Sequence, residues 1–133
     1  MRARMPLSGT ARSGTGSPVR RGDIHLIDLE PARGSEANKV RPAVIVSNNA
    51  ANLSVEANGR GVVTVVPLTS NTARVLTFQT LLRAAESGLA MDSKVQCEQV
   101  RAVSPDRVLK RVGTVPRQRM AEIDTALRRH LAL

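Results

Sequence analysis

Arg41, Thr69 and Glu36 are three side chains of this 133-residue sequence whose types could act on a charged substrate. Arg41 offers a planar fork of donors that can hold two oxygens of one phosphate, and its positive charge suits it to stabilising negative charge rather than yielding a proton. Thr69 carries a hydroxyl that can orient such an oxygen, and in Pro67-Leu68-Thr69-Ser70 it equally suits a turn that satisfies its own backbone. Glu36 lies in the loop expected to face Arg41 and is the candidate base or base-positioner, although a solvated loop carboxylate is the plainer reading. Lys39 shares that loop and offers phosphate a compact charge.

Other chemistries are excluded by what is missing. Cys97 is the single cysteine, which rules out an intrachain disulfide, and with only His25 and His130 beside it one chain cannot assemble the usual zinc sets. No metal site and no cofactor is expected. With one phenylalanine, Phe78, and no Trp or Tyr, the stacking platforms of most single-strand binders are lacking, so recognition of nucleic acid would lean on Arg, His and backbone groups. Five of the twenty Lys and Arg fall within residues 1–21 with no acid, leaving fifteen bases against eleven acids in residues 22–133. A surplus of that sign favours a polyanionic partner through counterion release, or simply a basic surface. No apolar run reaches the roughly 18 residues of a membrane span, so a soluble, cytoplasmic protein is expected.

The elements that must position these residues are short. Residues 1–18 are rich in Ser, Gly, Thr and Arg and read as a disordered basic extension, leaving 19–133 as one domain. Strand signals follow at 24–29, where Ile24, Leu26 and Asp28 share a face by the period-two rule; at 43–47, opened by Arg41-Pro42; and at 61–68, stopped by Pro67. The segment 30–39, with Pro31, Gly34, Ser35 and Asn38, is a long exposed loop, and 48–58 suits a short helix capped by Asn48 or Asn49. Further strands are expected at 75–82, at 93–103 with a bend or bulge near Glu98, and at 109–115. Met120, Ile123, Leu127 and Leu131 line one face of a closing helix over 116–131, with Thr114 as its cap. Phe78 and Cys97 read as core, Cys97 as a small buried hydrophobe. The sum is a mainly β (α+β) fold, a small curved antiparallel SH3-like β-barrel with a short connecting helix and a C-terminal amphipathic helix.

Arg20-Arg21-Gly22-Asp23-Ile24, the loop Gly34-Ser35-Glu36, Arg41-Pro42-Ala43-Val44 and Pro67-Leu68-Thr69-Ser70, with Cys97-Glu98-Gln99 and Val112-Gly113 further on, resemble the PemK/MazF family of toxin endoribonucleases. Each piece alone is common; their order and spacing over residues 19 to 132 carry the resemblance. It implies metal-independent, sequence-specific cleavage of single-stranded RNA by attack of a ribose 2'-hydroxyl on the adjacent phosphate, leaving a 2',3'-cyclic phosphate and a 5'-hydroxyl. It also implies a homodimer, and an antitoxin whose acidic, disordered segment folds into the same basic groove.

Arg41 and Thr69 match the family's catalytic Arg and Ser/Thr, and Glu98, on the strand facing RNA in relatives, is the alternative to Glu36. Ser35, Lys39, Ser70, Gln96, Glu98 and His25 are the candidate substrate contacts. Two departures stand out. Some relatives place Arg and Asp around the Cys97 position, where this chain has Gln96 and Glu98; Gln96 can supply no charge to phosphate, though its amide can read a base edge. A family aromatic in the first strand is replaced by His25, which could stack on a base or fill a half-buried strand position. Two alternative readings share the same barrel: a non-catalytic toxin acting on DNA gyrase, disfavoured because those relatives depend on a C-terminal Trp that is absent here, and an RNA-binding module that does not cleave.

Overall fold

The computed structural model describes residues 19–133, so the expected extension over 1–18 lies outside the described residues. Seven strands and three helices follow one another as β1 (Asp23–Asp28), β2 (Val40–Ile45), α1 (Asn49–Asn58), β3 (Val63–Thr69), β4 (Gln79–Leu82), α2 (Ala84–Ser87), β5 (Ser93–Gln96), β6 (Arg101–Val103), β7 (Val108–Thr114) and α3 (Arg117–Leu131). Every pairing is antiparallel, in the order β4-β5-β3-β2-β1-β7, with β6 also on β3. The expected curved α+β fold is present; β4 and β7 end the sheet without pairing to each other, so it is open.

The middle strands are buried on both faces. On one face Ile24, Val44, Val66 and Leu68 pack with Val95, Leu82 and Cys97 beneath Ile123 and Ala126 of α3. On the other, Ile27, Leu29, Ala43, Ile45, Val63 and Val65 meet Val103 and Val108 from β6 and β7. Fully buried Ile and Leu side chains each stabilise the fold by roughly 1.5–3 kcal/mol. The single-face expectation for β1 therefore needs correction: Ile24 and Ile27, on opposite faces, are both fully buried, whereas Leu26 is only half-buried.

Several boundaries also differ from the sequence reading, each for a local reason. Pro67 does not stop β3. Residues 63–65 pair with β6 and 68–69 with β5, so Pro67 sits where that edge has no strand partner and its missing N–H breaks no ladder. The strand expected over 93–103 is two strands, β5 and β6, separated by a 3₁₀ turn at Cys97–Gln99. The strand expected from residue 75 begins only at Gln79, and Phe78 is half-buried beside His130 of α3 rather than in the core, the ring centroids 6.1 Å apart. Thr114 ends β7 instead of capping α3, whose N-cap is Pro116. Helix α1 matches its expected span, with the Asn48 side chain accepting from the Ala51 N–H.

Gly113 is the glycine whose absent side chain shapes the fold. A Cβ there would lie 2.5 Å from the Ser87 carbonyl oxygen, so only glycine lets the end of α2 sit against β7.

Candidate active site

The site forms where β2 begins and β3 ends. The β2–β3 register pairs Ala43 with Pro67; continued by two residues, it sets Arg41 opposite Thr69, and Thr69 pairs in turn with Lys94 on β5. Directly opposed residues project from the same sheet face, so the register alone brings the cation and the hydroxyl together. Over them passes the loop from Glu30 to Lys39. Its base is held by the Glu30 carboxylate, which accepts from the Ala32 N–H at 3.2 Å and the Lys39 N–H at 2.7 Å, and by the Leu29 N–H bonded to the Lys39 carbonyl. That clamp keeps Lys39 in the left-handed region at φ 66, unusual for a residue other than glycine.

A cavity of about 180 Å³ lies under this loop, lined by Ser35, Glu36, Ala37, Asn38, Arg41, Thr69, Gln96 and Gln99. Five of the candidates named from sequence, Ser35, Glu36, Arg41, Thr69 and Gln96, thus share one small space. Larger cavities adjoin it on two sides. One, of about 440 Å³, begins at Arg41 and includes Lys39, Pro42, Ser70 and Met91; the other, of about 400 Å³, begins at Glu36 and Gln99 and includes Glu98 and Arg101. The small cavity shares Arg41 with the first of these and Glu36 and Gln99 with the second, so the three adjoin as one trough.

Arg41 is oriented before any ligand arrives. Its Nε donates to the Asn38 carbonyl at 2.8 Å and Nη2 to the Asn38 Oδ1 at 3.2 Å, fixing the guanidinium plane and leaving the remaining N–H groups for an anion. Thr69 does form the turn that its sequence suggested, since its Oγ1 accepts from the Asn71 N–H at 3.2 Å. The hydroxyl proton is left over, so turn and donor are compatible roles. Glu36 is exposed, and its Oε1 accepts from the Arg33 N–H at 2.8 Å, leaving the second oxygen for a proton. One small cavity thus brings together a fixed cation, a hydroxyl and a carboxylate, group types that can serve displacement at phosphorus.

Two candidates stand apart from this cluster. Glu98 lines the trough, but its Oε2 accepts from Gln79 Nε2 at 2.9 Å and its Oε1 is buried, which turns the carboxylate toward β4 instead of the central cavity. His25 lines none of the three cavities. Its ring is buried, with Nδ1 2.9 Å from the Leu109 carbonyl oxygen of β7, which carries an extra residue on each side of Arg111, the residue paired with His25. It fills a strand position, the plainer of its two readings.

Sequence reasoning missed the roles of Asn38 and Gln99. The Asn38 contact with Arg41 is local and was discoverable from the three-residue spacing; that of Gln99 spans more than sixty residues and was not. Cys97, fully buried with its Sγ 3.9 Å from the Ile123 carbonyl, is a core residue as expected: burial pushes its thiol up to about 12, far from a nucleophile's range. Among the described residues there is no group of three or more His, Cys, Asp or Glu placed to hold a metal ion, and no helix is long and apolar enough to cross a membrane.

An open, curved antiparallel sheet thus carries an arginine and a threonine beside a clamped loop, around one small polar cavity. Residues 20–131 match the family of PemK-like, MazF-like toxins of type II toxin-antitoxin systems, and the chain belongs to that family. It is 52% identical over 115 residues to Endoribonuclease MazF9 of Mycobacterium tuberculosis, covering 86% of this chain and 98% of that one. Among solved structures, MazF of Deinococcus radiodurans superposes with a TM-score of 0.71 at 22% identity, covering 88% of this chain and 99% of that chain, which shows the shared fold. An endoribonuclease from a mycobacterial species, solved in complex with its cognate antitoxin, superposes with a TM-score of 0.65 at 26% identity, covering 86% of this chain and 96% of that one.

Proposed function

We propose that this protein is the endoribonuclease toxin of a toxin-antitoxin pair, cutting single-stranded RNA at a short sequence without a metal ion. Arg41 binds two phosphate oxygens and stabilises the charge that builds as the ribose 2'-oxygen attacks; Thr69 orients the same phosphate; Glu36 takes the 2'-proton; and as the bond from phosphorus to the 5'-oxygen breaks, that oxygen takes a proton from water. The products are a 2',3'-cyclic phosphate and a 5'-hydroxyl. The observation that carries this reading is the convergence of Ser35, Glu36, Arg41, Thr69 and Gln96 on one cavity at the centre of a trough.

Along that trough Lys39 and Ser70 hold flanking phosphates. Gln96 reads a base edge, a role supported by its side chain making no hydrogen bond among the described residues. The protein acts in the cytoplasm as a homodimer, a reading supported by its membership of the PemK-like, MazF-like toxin family. A cognate antitoxin with an acidic segment occupies the trough in place of RNA, a reading supported by the mycobacterial neighbour solved with its antitoxin.

The test is incubation of the purified protein, freed of any co-purifying partner and kept in EDTA, with a long single-stranded RNA, beside Arg41→Ala. Cuts at one short motif with cyclic-phosphate ends, lost in the variant, support the assignment. Intact RNA at high enzyme, with RNA binding the same in both proteins, would replace it with a binding module.

A further inference from the structure

Of the three glutamines around the trough, two are already committed within the protein. Gln79 holds Glu98. Gln99 reaches across to the loop that carries Glu36: its Oε1 accepts from the Ala37 N–H at 3.0 Å and its Nε2 donates to the Ser35 carbonyl at 3.0 Å. The amide therefore grips the backbone immediately before and immediately after Glu36. Only one orientation of the amide satisfies both bonds, since one partner is a donor and the other an acceptor.

What the grip does follows from what else holds the loop. Residues 31–37 are bonded within their own turn, through Glu36 N–H to the Arg33 carbonyl and Arg33 N–H to the Glu36 carboxylate, and at their base to Glu30. Among the described residues, the two bonds from Gln99 are the only hydrogen bonds joining this segment to the rest of the fold beyond Arg41. Gln99 is itself immobilised. It ends the 3₁₀ turn that begins at the fully buried Cys97 and closes through Val100 N–H to the Cys97 carbonyl. A polar loop of low intrinsic order is thus tied, at the residues flanking its carboxylate, to a turn rooted in the core.

We propose that Gln99 is a positioning residue for cleavage: it sets the distance between Glu36 and the phosphate held by Arg41, and takes no part in reading bases. This rests on the assignment of Glu36 and Arg41 to the reaction. Misplacement of a reacting group by about 1 Å costs on the order of a hundredfold in rate, so losing the grip acts on turnover more than on affinity. Base choice stays with groups such as Gln96 whose amides are not committed.

The experiment compares full-length wild type with Gln99→Met, which keeps shape but neither bond, and Gln99→Glu, which keeps the acceptor for Ala37 and loses the donor to Ser35. Single-turnover cleavage is measured on an RNA oligonucleotide bearing the wild-type cut motif, and affinity on the same oligonucleotide with a 2'-deoxy residue at the cut. Cleavage by Gln99→Met is expected to fall about tenfold to a hundredfold, with Gln99→Glu between it and wild type. Affinity, cut motif and melting temperature are expected to stay close to wild type, and the Ala37 amide to exchange faster with solvent. Cleavage by Gln99→Met within twofold of wild type would overturn the proposal, as would affinity falling in step with rate. Arg41→Ala, run in parallel, separates the levels: an inactive Arg41→Ala beside a fully active Gln99→Met overturns the positioning role alone, whereas an active Arg41→Ala overturns both it and the site assignment.

Discussion

Replacing Arg41 by lysine keeps the positive charge and removes the fork, and so separates two ways in which this residue could stabilise a phosphorane-like transition state. In the structure Nε and Nη2 are spent on the Asn38 carbonyl and Oδ1, and the rest of the planar group is aimed into the cavity shared with Thr69 and Glu36. A lysine ammonium is one nitrogen; if it keeps the Asn38 carbonyl it cannot also span two phosphate oxygens. The substitution therefore forfeits one to two charge-assisted hydrogen bonds, each about 1.5–3 kcal/mol, partly offset by the retained charge. A net loss of about 2–4 kcal/mol from the transition state corresponds to a cleavage rate reduced roughly 30-fold to 1,000-fold. The assay is single-turnover cleavage of a motif-bearing oligonucleotide under saturating enzyme, with affinity measured separately on a 2'-deoxy analogue, where a change below about tenfold is expected. A lysine variant cutting within threefold of wild type would refute the reasoning, since charge alone would then suffice and the Asn38 clamp would have no catalytic purpose.

Thr69→Val keeps the shape of the side chain and removes the hydroxyl; cleavage should fall at least about tenfold while Thr69→Ser stays near wild type, measured in the same assay. Gly113→Ala drives a Cβ to 2.5 Å from the Ser87 carbonyl oxygen, so α2 and β7 must separate; denaturant unfolding should show a loss of about 1–3 kcal/mol with the cut motif unchanged. Burial pushes the Cys97 thiol from 9.0 up to about 12 in the folded chain, so its contribution to stability is complete below pH 9 and lost as pH rises toward 12. Cys97→Ala should remove that alkaline component of a pH-stability curve and leave cleavage at pH 7 unchanged, and a native thiol alkylated readily at neutral pH would contradict the assignment. Deleting residues 1–18 should leave cut sites unchanged and rate within about threefold.

How far the sequence reaches is clear from particular residues. Arg41 and Thr69 were named through the family resemblance of the segments around Pro42 and Pro67, and the β2–β3 register, continued by two residues, sets them opposite one another. Ser35 and Glu36 were legible as a polar loop between two strands, and the amphipathic spacing of α3 announced Ile123 as its buried contact. The failures share one cause, which is that local period does not report long-range cover. Ile27 looks like the polar-side residue of β1 but is buried because the curling sheet brings Val108 over it. His25 was a candidate contact because nothing in its neighbours reveals the irregular register of β7, whose Leu109 carbonyl meets its ring. Glu98 looked like a site carboxylate until the 3₁₀ turn directed it to Gln79, and the same turn delivers Gln99 to a loop more than sixty residues earlier.

The central claim is that the substrate's own 2'-hydroxyl is the nucleophile, and the most direct measurement uses two oligonucleotides carrying the mapped motif, one all ribose and one with a single 2'-deoxy residue at the cut, both in EDTA. The account predicts that the first is cleaved to a 2',3'-cyclic phosphate and a 5'-hydroxyl while the second remains intact though bound. Cleavage of the deoxy-substituted strand at that position, or cleavage of the ribose strand only when a divalent cation is restored, would contradict it.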